Sequence, residues 1–499
     1  MRPVPSSWLA FLLLAATGVG AAPAASDRAV RSPAASLLAA YLAVDTTNPP
    51  GNERAGAELL ARTLAEAGIE SQLLVSPRGR VSLHARLEAT TAGTRAGALL
   101  LLHHIDTVPA GPGWRHPAHG GEVHAGELWG RGAIDAKGLG VAHLMAFLEL
   151  ARSPQPRRRA VVFLAVADEE AGGGEGTGWL IESHPELFAD AAVVLNEGGV
   201  NKAVAGRALF WGIEVDQKRP LWLEVAATGR PGHASAANPE SATHRLVAGL
   251  ARLVAAPRPR RVTAAAADFI TALARFDPQA RGALAEVRAL GALRAAGGPG
   301  ETADADPAGA GAAQPLSLPG FESLLTDTLQ VTTLAGSERI NVVAGEARAG
   351  IDVRLLPDTD EKAFVGEVER ILGPGFTVNV RLGSKATPPS SSTSADYRTL
   401  AAALAAPAPS AQPAPVPVVP AFIPAFTDSR FFRARGIAAY GLQPFALDGL
   451  LLRSIHAPDE RIPLTVLDRG VETMTRVLRA LASAPPAVAS AAPAVPTVQ

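Results

Sequence analysis

Several apolar runs of this 499-residue chain lead directly into carboxylates and histidines, which are side chains that bind divalent metal ions. The runs at 98–102, 160–167 and 191–195 are followed by His104 with Asp106, Glu169 with Glu170, and Glu197. Sites in open α/β sheets gather at the carboxyl ends of the strands, so these side chains are expected to meet. Because the chain has no cysteine, any metal would be held by nitrogen and oxygen ligands.

Each motif also has a structural interpretation when it is taken alone. His104 could be a histidine satisfied in the core, Asp135 could cap a helix, and the acidic run 168–170 could be a solvated turn. His103 points to the opposite face of an extended segment and is assigned a structural role. The repetition of the pattern after three separate strands favours a metal site, to which His456 adds a late ligand.

The composition limits the class of protein. Hydrophobic residues make up 47% of the chain, enough for a sizeable core, and the length suits two or three domains. The 46 basic and 47 acidic residues give a formal net charge of −1. A nucleic-acid binder or a binder of anionic membranes would need a basic surplus, so neither partner is expected.

The N-terminus has the pattern of a signal peptide over residues 1–24. Arg2 is followed by the apolar segment 9–16 and by small residues at 21–25. The apolar segment is shorter than the roughly 20 residues that span a bilayer, so no stable membrane span is expected after cleavage. Uncleaved anchoring is the alternative. Export without cysteine, in an Ala-, Gly- and Pro-rich chain, favours a bacterial protein that is periplasmic or secreted.

Alternation of short apolar runs with helical stretches predicts an α/β fold with a mostly parallel sheet flanked by helices. This pattern covers residues 25–217 and returns at 383–483. The intervening segment 218–382 is predicted to be an inserted α+β domain. Within it, the Gly-, Ala- and Pro-rich stretch 297–315 is predicted to be a mobile loop, and 484–499 a disordered tail.

The motifs resemble, in order, those of the co-catalytic zinc amidohydrolases that include aminoacylase, glutamate carboxypeptidase, succinyl-diaminopimelate desuccinylase and carboxypeptidase S. The matching segments are 46–53, 104–109, 130–138, 167–170, 229–235, 341–343, 352–354, 427–430 and His456 with Glu460. The segments 197–199 and 427–430 are most similar to the carboxypeptidase S branch, which includes hydrolases of N-fatty-acyl amino acids. The resemblance implies a zinc-peptidase catalytic domain, an inserted lid and dimerisation domain, and a homodimer.

The resemblance also implies a metal ligand set. His104 and Glu197 would hold one zinc ion, and Glu170 and His456 would hold the other. Asp135 would bridge the two ions. Co²⁺ or Mn²⁺ are possible substitutes for the two Zn²⁺ ions.

The remaining implied roles concern catalysis and substrate. Glu169 would be the general base for a metal-bridging hydroxide, and Asp106 would orient His104. His233, commonly contributed by the partner subunit in this family, would stabilise the oxyanion, whereas capping a turn is its structural alternative. Asn341 and Arg354 would bind substrate, and a structural ion pair is the alternative for Arg354.

The sequence departs from the family pattern at three places, none of which removes a proposed ligand, and the last of them is expected to reshape the substrate pocket. Asn196 replaces a frequent Asp, Asp459 replaces a frequent Asn, and Ala425-Phe426 replaces two glycines that many members carry. The predicted function is hydrolysis of an amide or peptide bond next to a free carboxylate, in a small peptide or an N-acyl amino acid. The alternatives are a catalytically inactive binding or scaffold protein on the same fold, and a ureido or lactam hydrolase. The intact ligand set and base favour an enzyme over a scaffold.

Overall fold

The computed structural model describes residues 32–91, 97–204, 206–296, 321–407 and 414–484. The predicted signal peptide, the stretch 297–315 and all of the predicted tail except Ala484 lie outside the described residues. Across the described ranges, no helix combines the length and the apolar character needed to cross a membrane.

The described ranges contain twelve helices and eighteen strands. The helices are α1 (Pro33–Leu42), α2 (Glu53–Glu66), α3 (Lys137–Arg152), α4 (Thr177–Ser183), α5 (Ala242–Ala255), α6 (Ala264–Leu273), α7 (Pro278–Ala296), α8 (Glu361–Leu372), α9 (Ala395–Ala405), α10 (Ser429–Arg433), α11 (Gly449–Leu452) and α12 (Leu464–Ser483). The strands are β1 (Ser71–Val75), β2 (Val81–Leu87), β3 (Ala98–His104), β4 (Glu122–His124), β5 (Glu127–Trp129), β6 (Val161–Val166), β7 (Ala191–Asn196), β8 (Val200–Val204), β9 (Arg207–Gln217), β10 (Arg219–Thr228), β11 (Gly232–His233), β12 (Thr328–Ala335), β13 (Val342–Val343), β14 (Glu346–Leu355), β15 (Phe376–Leu382), β16 (Val418–Ile423), β17 (Ala438–Gly441) and β18 (Arg461–Pro463). Short 3₁₀ turns occupy Glu169–Ala171, Pro185–Phe188 and Glu322–Leu324.

A nine-stranded sheet of order β1-β2-β6-β3-β7-β17-β9-β16, with β8 paired to β9, forms the centre of the molecule. Strands β6, β3, β7 and β17 run parallel to one another in its middle. All residues of β3 and β6 are buried, because helices and loops cover both faces. The α/β class with a mainly parallel central sheet flanked by helices is confirmed.

Successive residues of β3 enter two different cores. Leu99 and Leu101 belong to the core beneath α1, α2, α3 and α12. Leu100 and Leu102 belong to the core on the other face, with side chains of α4 and α10. This alternation explains why the strand reads as a continuous apolar run rather than as an amphipathic pattern.

An antiparallel sheet of order β12-β14-β10-β15 carries α5 and α8 on one face. Its core consists of alternate residues of β10 and β14 with leucines of α5: Leu221, Leu223, Val225, Leu246, Leu250, Ile351 and Val353. All of these elements fall within the segment 218–382 that was expected to form an inserted domain. The domain boundaries themselves stay a prediction.

Helices α6 and α7 also come from within 218–382, but they pack against the edge of the central sheet. Phe269 and Ile270 of α6 share a core with Phe210 of β9 and Phe422 of β16. The segment 218–382 therefore contributes side chains to a core at the edge of the nine-stranded sheet as well as to the core of the antiparallel sheet.

A buried ion pair joins the loop before α3 to the loop before β18. Arg131 Nη1 lies 2.7 Å from Glu460 Oε2, and both side chains are almost fully inaccessible to solvent. The carboxylate of Glu460 also accepts hydrogen bonds from the backbone N–H groups of Gly132, Ile134 and Asp135. These contacts fix the backbone at Asp135 and the segment that follows His456.

Replacing Glu460 with glutamine should destabilise the fold by about 3–5 kcal/mol, because it leaves Arg131 buried without its counter-charge. Urea unfolding of the metal-free protein would measure the change. Glu58→Gln is the matched control, since Glu58 forms an exposed ion pair with Arg54 on α2. That control should cost about 0.5 kcal/mol or less. Equal effects of the two variants would contradict a structural role for the buried pair.

Candidate metal centre

Three neighbouring strands deliver four of the predicted site residues to one edge of the central sheet. His104 is the last residue of β3, and Glu197 directly follows β7. Glu169 and Glu170 begin the 3₁₀ turn after β6. Because β6, β3 and β7 are adjacent and parallel, their carboxyl ends lie side by side.

Two loops bring the other two predicted ligands to the same edge. Asp135 lies in the glycine-containing loop before α3, and His456 lies between α11 and β18. The backbone φ of His456 is 59°, in the left-handed region that non-glycine residues seldom adopt. Asp168, immediately before the 3₁₀ turn, has a φ of 71°. Such conformations are frequent where side chains must be aimed at a functional site.

Asp135 lies between two groups of potential metal ligands. Its Oδ1 is 3.0 Å from His104 Nε2, which in turn is 3.6 Å from Glu197 Oε2. Its Oδ2 is 3.1 Å from His456 Nε2, which is 3.4 Å from Glu170 Oε2. The ligand atoms within each group of three all lie within 4.8 Å of one another. The structure thus brings together all five residues predicted to bind metal, with Asp135 common to both groups.

The electrostatics of the carboxylates fit a site built for cations. One carboxylate oxygen of Glu169 and one of Glu170 are buried without a hydrogen-bond partner. Burial and the nearby charge of Glu197 raise the pKa of Glu169 well above its usual value. Burial raises the pKa of Glu197 to about 7. Divalent cations would offset both the burial and the repulsion, and the oxygen and nitrogen donors are those that zinc accepts.

The two histidines are held by the same carboxylates. Hydrogen bonds to Asp135 and Glu170 raise the pKa of His456 to about 11. Burial lowers the pKa of His104, but Glu197 and Asp135 outweigh it and raise that pKa well above its usual value. Burial opposes ionisation of Asp135, yet its bonds to both histidines hold its pKa below the usual value. Each imidazole Nε2 therefore faces carboxylate oxygens that could share a cation with it.

Asp106, two residues after the end of β3, supports the site through hydrogen bonds. His104 Nδ1 bonds to the backbone carbonyl oxygen of Asp106 at 2.8 Å, whereas the Asp106 carboxylate lies 3.7 Å away. That carboxylate instead accepts hydrogen bonds from the amide N–H groups of Glu169 and Glu170 and from Asn48 Nδ2. Burial raises its pKa to about 7. Asp106 thus fixes the ring through its carbonyl and the 3₁₀ turn through its side chain.

Arg80 supports the 3₁₀ turn that carries Glu169 and Glu170, and it was not among the site residues predicted from the sequence. Its Nη1 lies 2.7 Å from Asp168 Oδ1, and its Nε donates to both oxygens of the buried Glu53. Asp168 Oδ2 accepts the amide N–H of Glu175. Glu53 belongs to the 46–53 motif, but no sequence pattern singles out Arg80.

A cleft of about 780 Å³ extends from the two ligand groups. Its lining includes Trp222 and Phe426, whose rings are in edge contact with centroids 6.2 Å apart. Arg354 also lines the cleft, where it makes a two-point ion pair with Asp352 at 2.6 and 2.7 Å. The guanidinium groups of Arg354 and Arg430 lie 4.4 and 4.7 Å from the Phe426 ring centroid. Phe426, which stands where many family members carry a glycine, therefore forms an aromatic wall with Trp222 beside the metal ligands.

His233 and Asn341 lie apart from this cleft in the single chain. Both are exposed, on the two-stranded sheet of β11 and β13 and the turn next to it. The backbone carbonyl of Asn341 accepts the N–H of Ala234, and Ser235 Oγ lies 2.8 Å from His233 Nδ1. Neither His233 nor Asn341 is among the residues that line the cleft beside the chain's own metal ligands.

Comparison with known proteins agrees with this geometry. The model of peptidase family M20/M25/M40 matches residues 100–480. The chain belongs to this family. Aminoacylase-1 of Homo sapiens is 26% identical over 460 residues, which cover 91% of this chain and 96% of the relative. Aminoacylase-1B of Rattus norvegicus is 26% identical over 459 residues, with the same coverage of both chains.

The solved structures show the same fold. The M20 family metallo-carboxypeptidase from Sulfolobus solfataricus aligns with a TM-score of 0.64 and 18% identity, covering 90% of this chain and 99% of its own. The sequence-based prediction of the family is confirmed. The protein is a metallohydrolase that acts on amide or peptide bonds.

Proposed function

We propose that this protein uses two Zn²⁺ ions to hydrolyse the amide bond of an N-acyl amino acid or small peptide beside a free carboxylate. The observation that carries the proposal is the position of Asp135, which presents one oxygen to His104 with Glu197 and the other to His456 with Glu170. The aminoacylase-1 relatives, of which 96% is matched, support an amide substrate.

Two zinc ions bound by these residues would acidify a water molecule and polarise the substrate carbonyl. Glu169 is the proposed general base because it lines the cleft and makes no ion pair with either histidine in the described part of the chain. It would take a proton from the attacking water and pass it to the leaving nitrogen. Asp106 would hold Glu169 in place through its amide N–H.

Arg354 is the proposed partner of the substrate carboxylate. Its Nε and Nη2 are engaged by Asp352, which leaves the Nη1 edge for a ligand in the cleft. Asp352 and the Phe426 ring would keep the guanidinium oriented before substrate arrives. An amidated substrate should therefore be hydrolysed less efficiently than the free acid, mainly through a higher KM.

The test of the proposed function is a hydrolysis panel with the zinc-loaded protein. It would contain N-acetyl and longer-chain N-acyl amino acids, dipeptides, and N-carbamoyl amino acids. Release of the free amino acid from the first two classes supports the proposal. Turnover of carbamoyl compounds alone would favour the ureido alternative, and no turnover by a folded, two-zinc protein would contradict the proposal.

We further propose that the working enzyme is a homodimer in which His233 acts on the metal centre of the other subunit. His233 is exposed, and the neighbouring Ile340 and Val342 are apolar yet exposed. Leu334 of the edge strand β12 is also largely exposed. Exposed apolar groups beside an unpaired strand edge suit a contact with a second copy of this chain.

Mixing two inactive variants tests this arrangement. His233→Ala and Glu169→Gln should each lack activity as homodimers. After subunit exchange, each heterodimer would contain one site with both groups intact, so an equal mixture should recover about a quarter of the wild-type activity. Recovery that fails although exchange is demonstrated would contradict a shared site.

A further inference from the structure

A second cluster of potential metal ligands lies on the small sheet β4-β5-β18 and shares no residue with the catalytic ligand groups. Glu122 and His124 lie two residues apart on β4, and His124 Nε2 is 2.7 Å from Glu122 Oε2. The ring of His116 lies against that of His124, with centroids 3.6 Å apart and planes 12° from parallel. One ligand atom from each residue lies within 4.8 Å of the other two.

The arginines near this cluster are paired with carboxylates other than Glu122. Two arginines lie close by, with their guanidinium groups 4.7 Å from the Trp129 ring centroid. Arg115 is paired with Asp459 at 2.7 Å, and Arg461 is paired with Glu127 at 2.9 Å. No lysine or arginine in the described ranges pairs with Glu122, whose one ion-pair contact is with His124. With neutral imidazoles, the group therefore carries one uncompensated negative charge.

We propose that His116, Glu122 and His124 form a third, peripheral site for a divalent transition metal, with Zn²⁺ as the first ion to test. Two imidazoles and one carboxylate are a known zinc ligand set, with water completing four-coordination. All three side chains are at least partly open to solvent, so an ion can reach them. The stacked rings would have to rotate about χ2 until their nitrogens converge on the ion. The ion would then take the place of the Nε2 proton between His124 and Glu122, and that proton would move to Nδ1 of the neutral imidazole.

The site would act on the loop that carries His456. Arg115, next to His116, donates from its backbone N–H and its Nε to the two carboxylate oxygens of Asp459. Strand β4 pairs with β5, and β5 pairs with β18, which begins five residues after His456. An ion bound to His116 and β4 would therefore cross-link the two segments that hold this loop, and should rigidify it.

The experiment compares zinc stoichiometry in the wild type and the double variant Glu122→Gln/His124→Ala. Metal-depleted full-length protein is dialysed against buffered free zinc, and bound zinc is measured by elemental analysis. The double variant should bind one equivalent of zinc fewer than the wild type. The increase in Tm that accompanies binding of the last zinc equivalent to the wild type should be absent from the double variant. The difference of one equivalent does not depend on how many ions the catalytic residues hold, so this proposal and the proposed function can fail separately.

His244→Ala is the matched control, because His244 is an exposed histidine on α5 that belongs to none of the three ligand groups. It should bind as much zinc as the wild type, and His116→Ala should reproduce the loss seen in the double variant. Circular dichroism would establish that these surface variants fold. Equal stoichiometry in the wild type and the double variant, or the same loss in His244→Ala, would overturn the proposal.

Discussion

Replacing Glu169 with glutamine should lower kcat by about 10²–10⁴-fold while the bound metal stays unchanged. The substitution keeps the shape of the side chain but removes the basic oxygen that would receive the proton. Glu169 makes none of the four contacts that join Asp135, the histidines and the other two glutamates. Metal content and steady-state kinetics on the same preparation would separate the two effects.

The control for this variant is Glu182→Gln, which makes the same chemical change at an exposed position on α4. It should keep both activity and metal. If Glu169→Gln lost a metal ion, Glu169 would be a ligand rather than the base. If the variant retained most of its kcat, another group would have to transfer the proton.

The strands that carry the site could be predicted because their burial leaves a simple pattern. Strands β3, β6 and β7 are apolar runs that end in His104, Glu169 with Glu170, and Glu197. The burial of both sheet faces makes such runs uniformly apolar, and the polar residues mark the strand ends. The order β6-β3-β7 could not be read from the sequence, because it depends on which strands pair across more than fifty residues of chain.

The supporting contacts around the base were beyond sequence reasoning. Arg80 reaches Asp168 across 88 residues, and its neighbours in sequence form an ordinary hairpin between β1 and β2. The carboxylate of Asp106 was expected to hold His104, but it binds the amides of Glu169 and Glu170. A residue's type predicts that it can accept hydrogen bonds, whereas the choice of donor follows from the packing of separate segments.

Phe426 shows how a departure from a family pattern gains meaning from structure. The sequence indicates only that a bulky ring replaces a residue that is often glycine. In the folded chain the ring contacts Trp222 and lies against the guanidinium groups of Arg354 and Arg430. Because the ring lines the cleft next to Arg354, the proposed partner of the substrate carboxylate, Phe426 would restrict the groups that fit beside the metal centre.

Replacing Asp135 with alanine should remove both metal ions and abolish turnover, because Asp135 is the one residue common to the two ligand groups. Glu197→Ala is the matched comparison, since Glu197 contacts only His104 of the two histidines and its loss leaves Asp135, Glu170 and His456 in place. That variant should keep about one zinc ion at the catalytic edge. Zinc analysis of both variants, on protein shown to be folded, distinguishes a shared ligand from two independent sites. Equal metal loss in the two variants would show that the sites fill cooperatively, and full metal content in Asp135→Ala would contradict the bridging role.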